Sequence, residues 1–127
     1  MRDYKKLDVW KKSHVMTSHI YKDILPLLPS HEKYDLSSQI KRAAYSVPLN
    51  IVEGAGRNTD KDFAHFLDTA LGSSQELEYA CLLAKDLEYL DDEKYLIVNT
   101  LVNEVKAMLI GLIKRLRPNL YSFSFNL

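Results

Sequence analysis

The sequence predicts an all-α protein: an antiparallel up-down-up-down four-helix bundle followed by an extended aromatic C-terminal tail. Three observations predict it. Apolar residues recur at three- and four-residue spacing in four long segments, as expected of helices that bury one face. Glycine and proline number only four each among 127 residues, so the chain must be built from few, long elements. The breaks between segments are short, and short connections make successive helices antiparallel neighbours. A chain of this length forms one domain with one core. The bundle is assigned to residues 1–119 and the tail to 120–127.

The first helix follows Leu7, Trp10, His14, Thr17, Tyr21, Ile24 and Leu28, with Val9, Val15, Met16, Ile20 and Leu25 widening the stripe. Pro26 and Pro29 end it, and Ser30 or Asp35 can cap the next helix. The second runs through Leu36, Ile40, Ala43, Ala44, Val47 and Ile51 into GAGRNTD. There Gly54 and Gly56 offer left-handed caps, and Thr59 opens a capping box with Asp62. The third runs from Phe63 to Leu90, about 28 residues or about 42 Å at 1.5 Å per residue. Asp91 or Asp92 caps the fourth, which passes through Tyr95, Val98, Leu101, Val102, Val105, Met108, Leu109, Leu112, Ile113 and Leu116. Lys114, Arg115 and Arg117 crowd its last turn, where the helix dipole favours cations, and Pro118 stops it. In the tail, Tyr121, Phe123, Phe125 and Leu127 alternate with other residues at period two, which in an extended chain puts them on one side. They are expected to pack on the bundle or on a neighbouring subunit.

One stretch departs from ordinary helix composition. RAAYSVPLNIVEGAGR, residues 42–57, keeps a helical apolar beat yet carries Pro48, Asn50, Glu53, Gly54 and Gly56. Pro48 lacks an N–H and crowds the carbonyl of Ala44, at a cost of about 3 kcal/mol unless something compensates. Ser46 or Asn50 is expected to supply the missing donor. On the third helix, GSSQELEY offers small residues and hydroxyls that let the second helix come close. These features predict a polar cluster between the two helices, centred on Glu53 and Asn50, with Arg42, Ser73 or Ser74, and Glu76. A buried carboxylate needs partners, so an arginine nearby is physically required.

These same residues carry a resemblance. SSQIKRAAYSVPLNIVEGAGR and FAHFLDTALGSSQELEYACLLAKDLEYL resemble the four-helix-bundle family of 23S rRNA intervening-sequence proteins, also labelled S23 ribosomal protein. That family is similar to the accessory variability determinant of diversity-generating retroelements. Its pattern falls on Ser38, Gln39, Arg42, Ala43, Ser46, Pro48, Asn50, Ile51, Glu53 and Gly54. It continues on Phe66, Leu67, Ala70, Gly72, Ser73, Glu76 and Leu77, and the match spans about residues 5–117. Asp35 stands where the family usually has glycine. The resemblance implies a bundle that assembles as a ring-like homopentamer, with no established enzyme activity. It also implies nucleic acid, or a nucleic-acid enzyme, as a partner class to weigh.

Charge bears on that partner. The chain is neutral, with 17 Lys/Arg against 17 Asp/Glu, so no global field draws it to nucleic acid or an acidic membrane. Locally, residues 1–34 carry a net +3, residues 63–94 a net −6 and residues 95–127 a net +3. An up-down bundle brings the start of the first helix beside the end of the fourth. Lys5, Lys6, Lys11 and Lys12 could then merge with Lys114, Arg115 and Arg117 into one basic patch, although solvated helix ends explain the same charges.

Other chemistry finds little support. A dimetal bundle site wants Glu-x-x-His on two helices, and Asp62-x-x-His65 is the nearest approach. EGAGR lacks the Gly-Lys-Ser/Thr ending of a phosphate loop. Cys81 falls on an apolar face and can make no intrachain disulfide. No uninterrupted apolar run reaches the ~18 residues of a membrane span. The sequence thus predicts a non-enzymatic, cytoplasmic scaffold or adaptor that needs no cofactor or metal and binds itself. Nucleic-acid binding through the basic end is the second reading. A small-ligand or catalytic site at Arg42, Asn50 and Glu53 is the third.

Overall fold

The computed structural model describes residues 2–118. Four helices account for most of them: α1 (Asp8–His19), α2 (Leu36–Ala55), α3 (Asp60–Asp86) and α4 (Asp92–Leu116). The packing order is α1–α2–α3–α4 with α4 closing on α1, the square of an up-down-up-down bundle. The axis is filled by Met16, Ile20, Ile40, Val47, Ile51, Leu67, Leu77, Val98, Val102, Val105 and Leu109, all fully buried. These are the positions the three-and-four spacing selects, because each helix turns one stripe inward. The aromatic tail predicted for residues 120–127, and Asn119 before it, lie outside the described residues.

Boundaries follow local chemistry. Thr59 Oγ1 accepts the N–H of Asp62 at 3.1 Å and caps α3; Asp91 Oδ1 accepts the N–H of Lys94 at 2.8 Å and caps α4. At α2 the expectation needs correcting. Asp35 holds the cap position but makes no side-chain bond; Glu32 Oε1 accepts the Leu36 N–H instead, at 3.3 Å. The left-handed glycine caps are also absent. Gly56 has φ −81°, and Gly54 lies inside α2. The left-handed residue is Glu88, φ 67°, at the end of α3. Its N–H reaches the Lys85 carbonyl at 2.8 Å, while that of Tyr89 reaches Ala84 at 2.9 Å, closing a Schellman motif. The helix predicted to reach Leu90 therefore stops at Asp86, although Leu90 still packs in the core.

Helix α1 is shorter than its apolar stripe. After His19 the chain widens into a π-helical turn, Ile20–Ile24, then tightens into a 3-10 turn, Leu25–Leu27. Ile20 and Ile24 remain fully buried, so the change of pitch keeps the stripe facing inward across the approach to Pro26.

Candidate functional site

Pro48 does not break α2, which runs continuously from Leu36 to Ala55. The reason lies on α1 and corrects the expectation of a donor from Ser46 or Asn50. Thr17 Oγ1 stands 3.1 Å from the Ala44 carbonyl and 2.8 Å from the Ser13 carbonyl, so one hydroxyl proton serves both. Ala44 is fully buried, so this contact supplies the acceptor that Pro48 orphans. A signal was present in the sequence: Thr17 is a hydroxyl residue on the inward stripe of the first helix, with Ser13 one turn before it.

The polar contact between α2 and α3 centres on Ser46. Its Oγ is 2.8 Å from Ser73 Oγ and accepts from Asn50 Nδ2 at 3.1 Å; the same amide donates to the Ser46 carbonyl at 2.8 Å. Asn50, Ser46 and Ser73 thus form one chain of hydrogen bonds across the helix pair. Four other residues assigned to this cluster lie elsewhere. Glu53 is surface-exposed, 3.6 Å from Arg57 on its own helix, and its side chain keeps 59% of its accessible area. Arg42 is exposed and reaches Gln39 Oε1 at 3.2 Å. Glu76 is exposed. Ser74 is fully buried but turns to its own helix, donating to the Leu71 carbonyl at 2.6 Å. The physical reason is desolvation: hydroxyls and an amide can satisfy one another inside a helix pair, whereas a carboxylate there costs several kcal/mol.

What brings α2 and α3 together is Gly54. A Cβ placed there would lie 2.9 Å from Phe63 Cδ1 and 2.9 Å from Phe66 Cβ, closer than side chains approach. Arg57, one turn further on, lays its guanidinium over the Phe66 ring at 4.6 Å. Gly54, Ser46 and Ser73 are therefore parts of one close-packed seam.

The basic end is assembled only in part. Lys6, Leu7, Asp8 and Val9 face Met108, Gly111, Leu112 and Arg115 across a groove of about 470 Å³, so the first helix does begin beside the end of the fourth. Lys5 lies over the Tyr4 ring at 5.9 Å. Other cations are engaged by acids. Lys12 pairs with Glu104, Lys11 lies 3.9 Å from Asp8, and Arg117 grips Asp68 with two bonds of 2.9 and 2.8 Å. Lys114 sits in the same final turn of α4.

The histidines are likewise placed. His14 stacks on Trp10 with centroids 5.0 Å apart, and His19 Nδ1 is 3.0 Å from Asp23 across the π-helical turn. Cys81 is buried, and desolvation pushes its thiol up to about 12. Among the described residues, no group of three or more His, Cys, Asp or Glu side chains is arranged to hold a metal.

An up-and-down bundle with a close hydroxyl-amide seam and a proline accommodated inside its second helix defines a class of small helical-bundle proteins. Within that class the chain belongs to the 23S rRNA-intervening sequence protein family, whose pattern it matches over residues 5–111. It is similar to a solved structure from Bacteroides thetaiotaomicron VPI-5482, described as a protein of unknown function from the S23 ribosomal protein family. The two are 31% identical with a TM-score of 0.77, over 84% of this chain and 98% of that one. No curated protein matches.

Proposed function

We propose that the protein is a non-enzymatic scaffold that works by assembling with copies of itself. One observation carries the reading. Helix α4 is apolar and long enough to cross a membrane by length and composition, yet only 28% of its most apolar 18-residue window is buried in the bundle. Its Glu104 and Lys106 are tied to Lys12 on α1 and Glu78 on α3, so α4 serves as one wall of the bundle. What the bundle leaves uncovered on that wall is Leu96, Ile97 and Ile110, with Tyr79 and Leu82 exposed on the neighbouring α3. Other large apolar side chains, among them Val15, Leu49 and Leu87, are exposed elsewhere on the bundle, and apolar surface left uncovered along a helix this long favours a protein partner. A second copy is the partner always present. A copy number of five is the expectation that comes with the family resemblance.

Light scattering after gel filtration tests this. The expected mass is that of five chains, and a single-chain mass at micromolar concentration overturns the reading.

A second reading rests on the groove that brings Lys6 and Arg115 to one place. As a nucleic-acid contact it would have to work with few uncommitted cations, because Lys11, Lys12 and Arg117 face carboxylates. Retention of RNA or DNA that falls steeply with salt, and is lost in Lys6→Glu/Arg115→Glu, supports it. Retention that is absent at low salt removes it.

A further inference from the structure

His19 closes α1, and Asp23 lies in the π-helical turn that follows it. Such turns recur at functional sites. Asp23 Oδ2 is 3.0 Å from His19 Nδ1 and keeps a proton on that nitrogen, so in the neutral ring Nε2 presents a lone pair. Among the described residues, this Nε2 is the buried side-chain polar atom without a hydrogen-bond partner. An orphan of this kind is destabilising unless something completes it. Beside it lies a cavity of about 220 Å³, walled by His19, Asp23 and the fully buried Ile24, and from α4 by Lys94 and Ile97. Lys94 and Ile97 are exposed, and Lys94 pairs with no carboxylate among the described residues.

We propose that this cavity binds a small molecule with a hydroxyl at one end, an apolar body, and a carboxylate at the other end. Each part is selected by a group on the wall. The hydroxyl donates to His19 Nε2, completing the orphaned acceptor. Nε2 is covered, so entry requires a wall residue to move. Lys94, exposed and on a flexible stem, is the one able to swing, and its ammonium then meets the ligand's carboxylate. The wall's own carboxylate, Asp23, is bound to Nδ1 on the other edge of the ring, so the anionic end is directed to Lys94 and away from the dyad. Ile24 and Ile97 cover the apolar body. Size limits the ligand further. A cavity of about 220 Å³ falls below the roughly 300 Å³ at which drug-sized pockets begin, so it takes a molecule of about one ring.

Calorimetric titration of the full-length protein with three probes, at one protein concentration throughout, tests this. The probe 4-hydroxybenzoate carries both end groups; benzoate lacks the hydroxyl, and phenol lacks the carboxylate. The first is expected to bind with a Kd below about 1 mM, and at least about ten-fold more tightly than either of the others. In His19→Phe its advantage over benzoate should vanish, and in Lys94→Met its advantage over phenol. Lys94 is exposed, so replacing it leaves the core untouched, and circular dichroism checks that both variants keep their helix content. If His19→Phe does not fold, the wild-type comparison and Lys94→Met decide. A Kd for 4-hydroxybenzoate above about 1 mM, affinity no better than for benzoate or phenol, or an advantage that survives the loss of its own partner overturns the proposal.

Discussion

Thr17 is the residue on which α2 depends for its continuity. The Ala44 carbonyl is fully buried and loses its regular partner to Pro48; Thr17 Oγ1 is 3.1 Å away. Thr17→Val keeps the shape and removes the donor, so it should destabilise the fold by about 1–2 kcal/mol in urea denaturation. In a Pro48→Ala background the helix recovers its own N–H, and the same Thr17→Val change should cost at least about 0.5 kcal/mol less. Equal costs in both backgrounds would show that the hydroxyl does not serve the proline's orphan. Glu53 gives the contrast. With Asn50 it was the expected centre of a buried cluster, but its side chain is more than half exposed and, among the described residues, pairs with Arg57. Glu53→Gln should therefore shift stability by no more than about 0.5 kcal/mol.

Among the elements, the α2–α3 pair shows what helical glycines do. Gly54 and Gly72 both sit inside long helices, where alanine is intrinsically better by about 1 kcal/mol. The surroundings decide the sign. At Gly54 a methyl would meet Phe66 Cβ and the ring of Phe63, which is itself buried and cannot retreat. Overpacking of about 1–3 kcal/mol should outweigh the propensity gain, so Gly54→Ala destabilises. At Gly72 the space is open, so Gly72→Ala should stabilise by up to about 1 kcal/mol, read as a higher urea midpoint with unchanged slope. The helices were legible because burial imposes a period on apolar residues, and the caps at Thr59 and Asp91 because short polar side chains act locally. The π-helical turn at Ile20–Ile24 and the left-handed Glu88 were not. Both are imposed by tertiary packing on residues with no preference for those conformations. The polar seam was half legible: the spacing named Asn50 and Ser73, but only three-dimensional placement shows that Ser46 joins them.

For the whole molecule, stability should depend on how many copies are present. A bundle that leaves Leu96, Ile97 and Ile110 of α4, and Tyr79 and Leu82 of α3, in water has apolar surface whose burial in an assembly adds to the free energy of folding. Mass action then makes the thermal midpoint rise with protein concentration, whereas that of a monomer stays fixed. Placing a charge on that surface separates assembly from folding. Ile110 is 39% exposed and points away from the core positions Val105, Leu109 and Ile113. Ile110→Asp should therefore leave helix content intact at high dilution while abolishing the concentration dependence, because burying an unpaired carboxylate in a subunit contact costs several kcal/mol. Thermal melts of both proteins across a hundred-fold range of concentration read this directly. Parallel, flat midpoints would mean that α4's outer face is solvated in the working form of the protein, and the scaffold would have to bind through another surface.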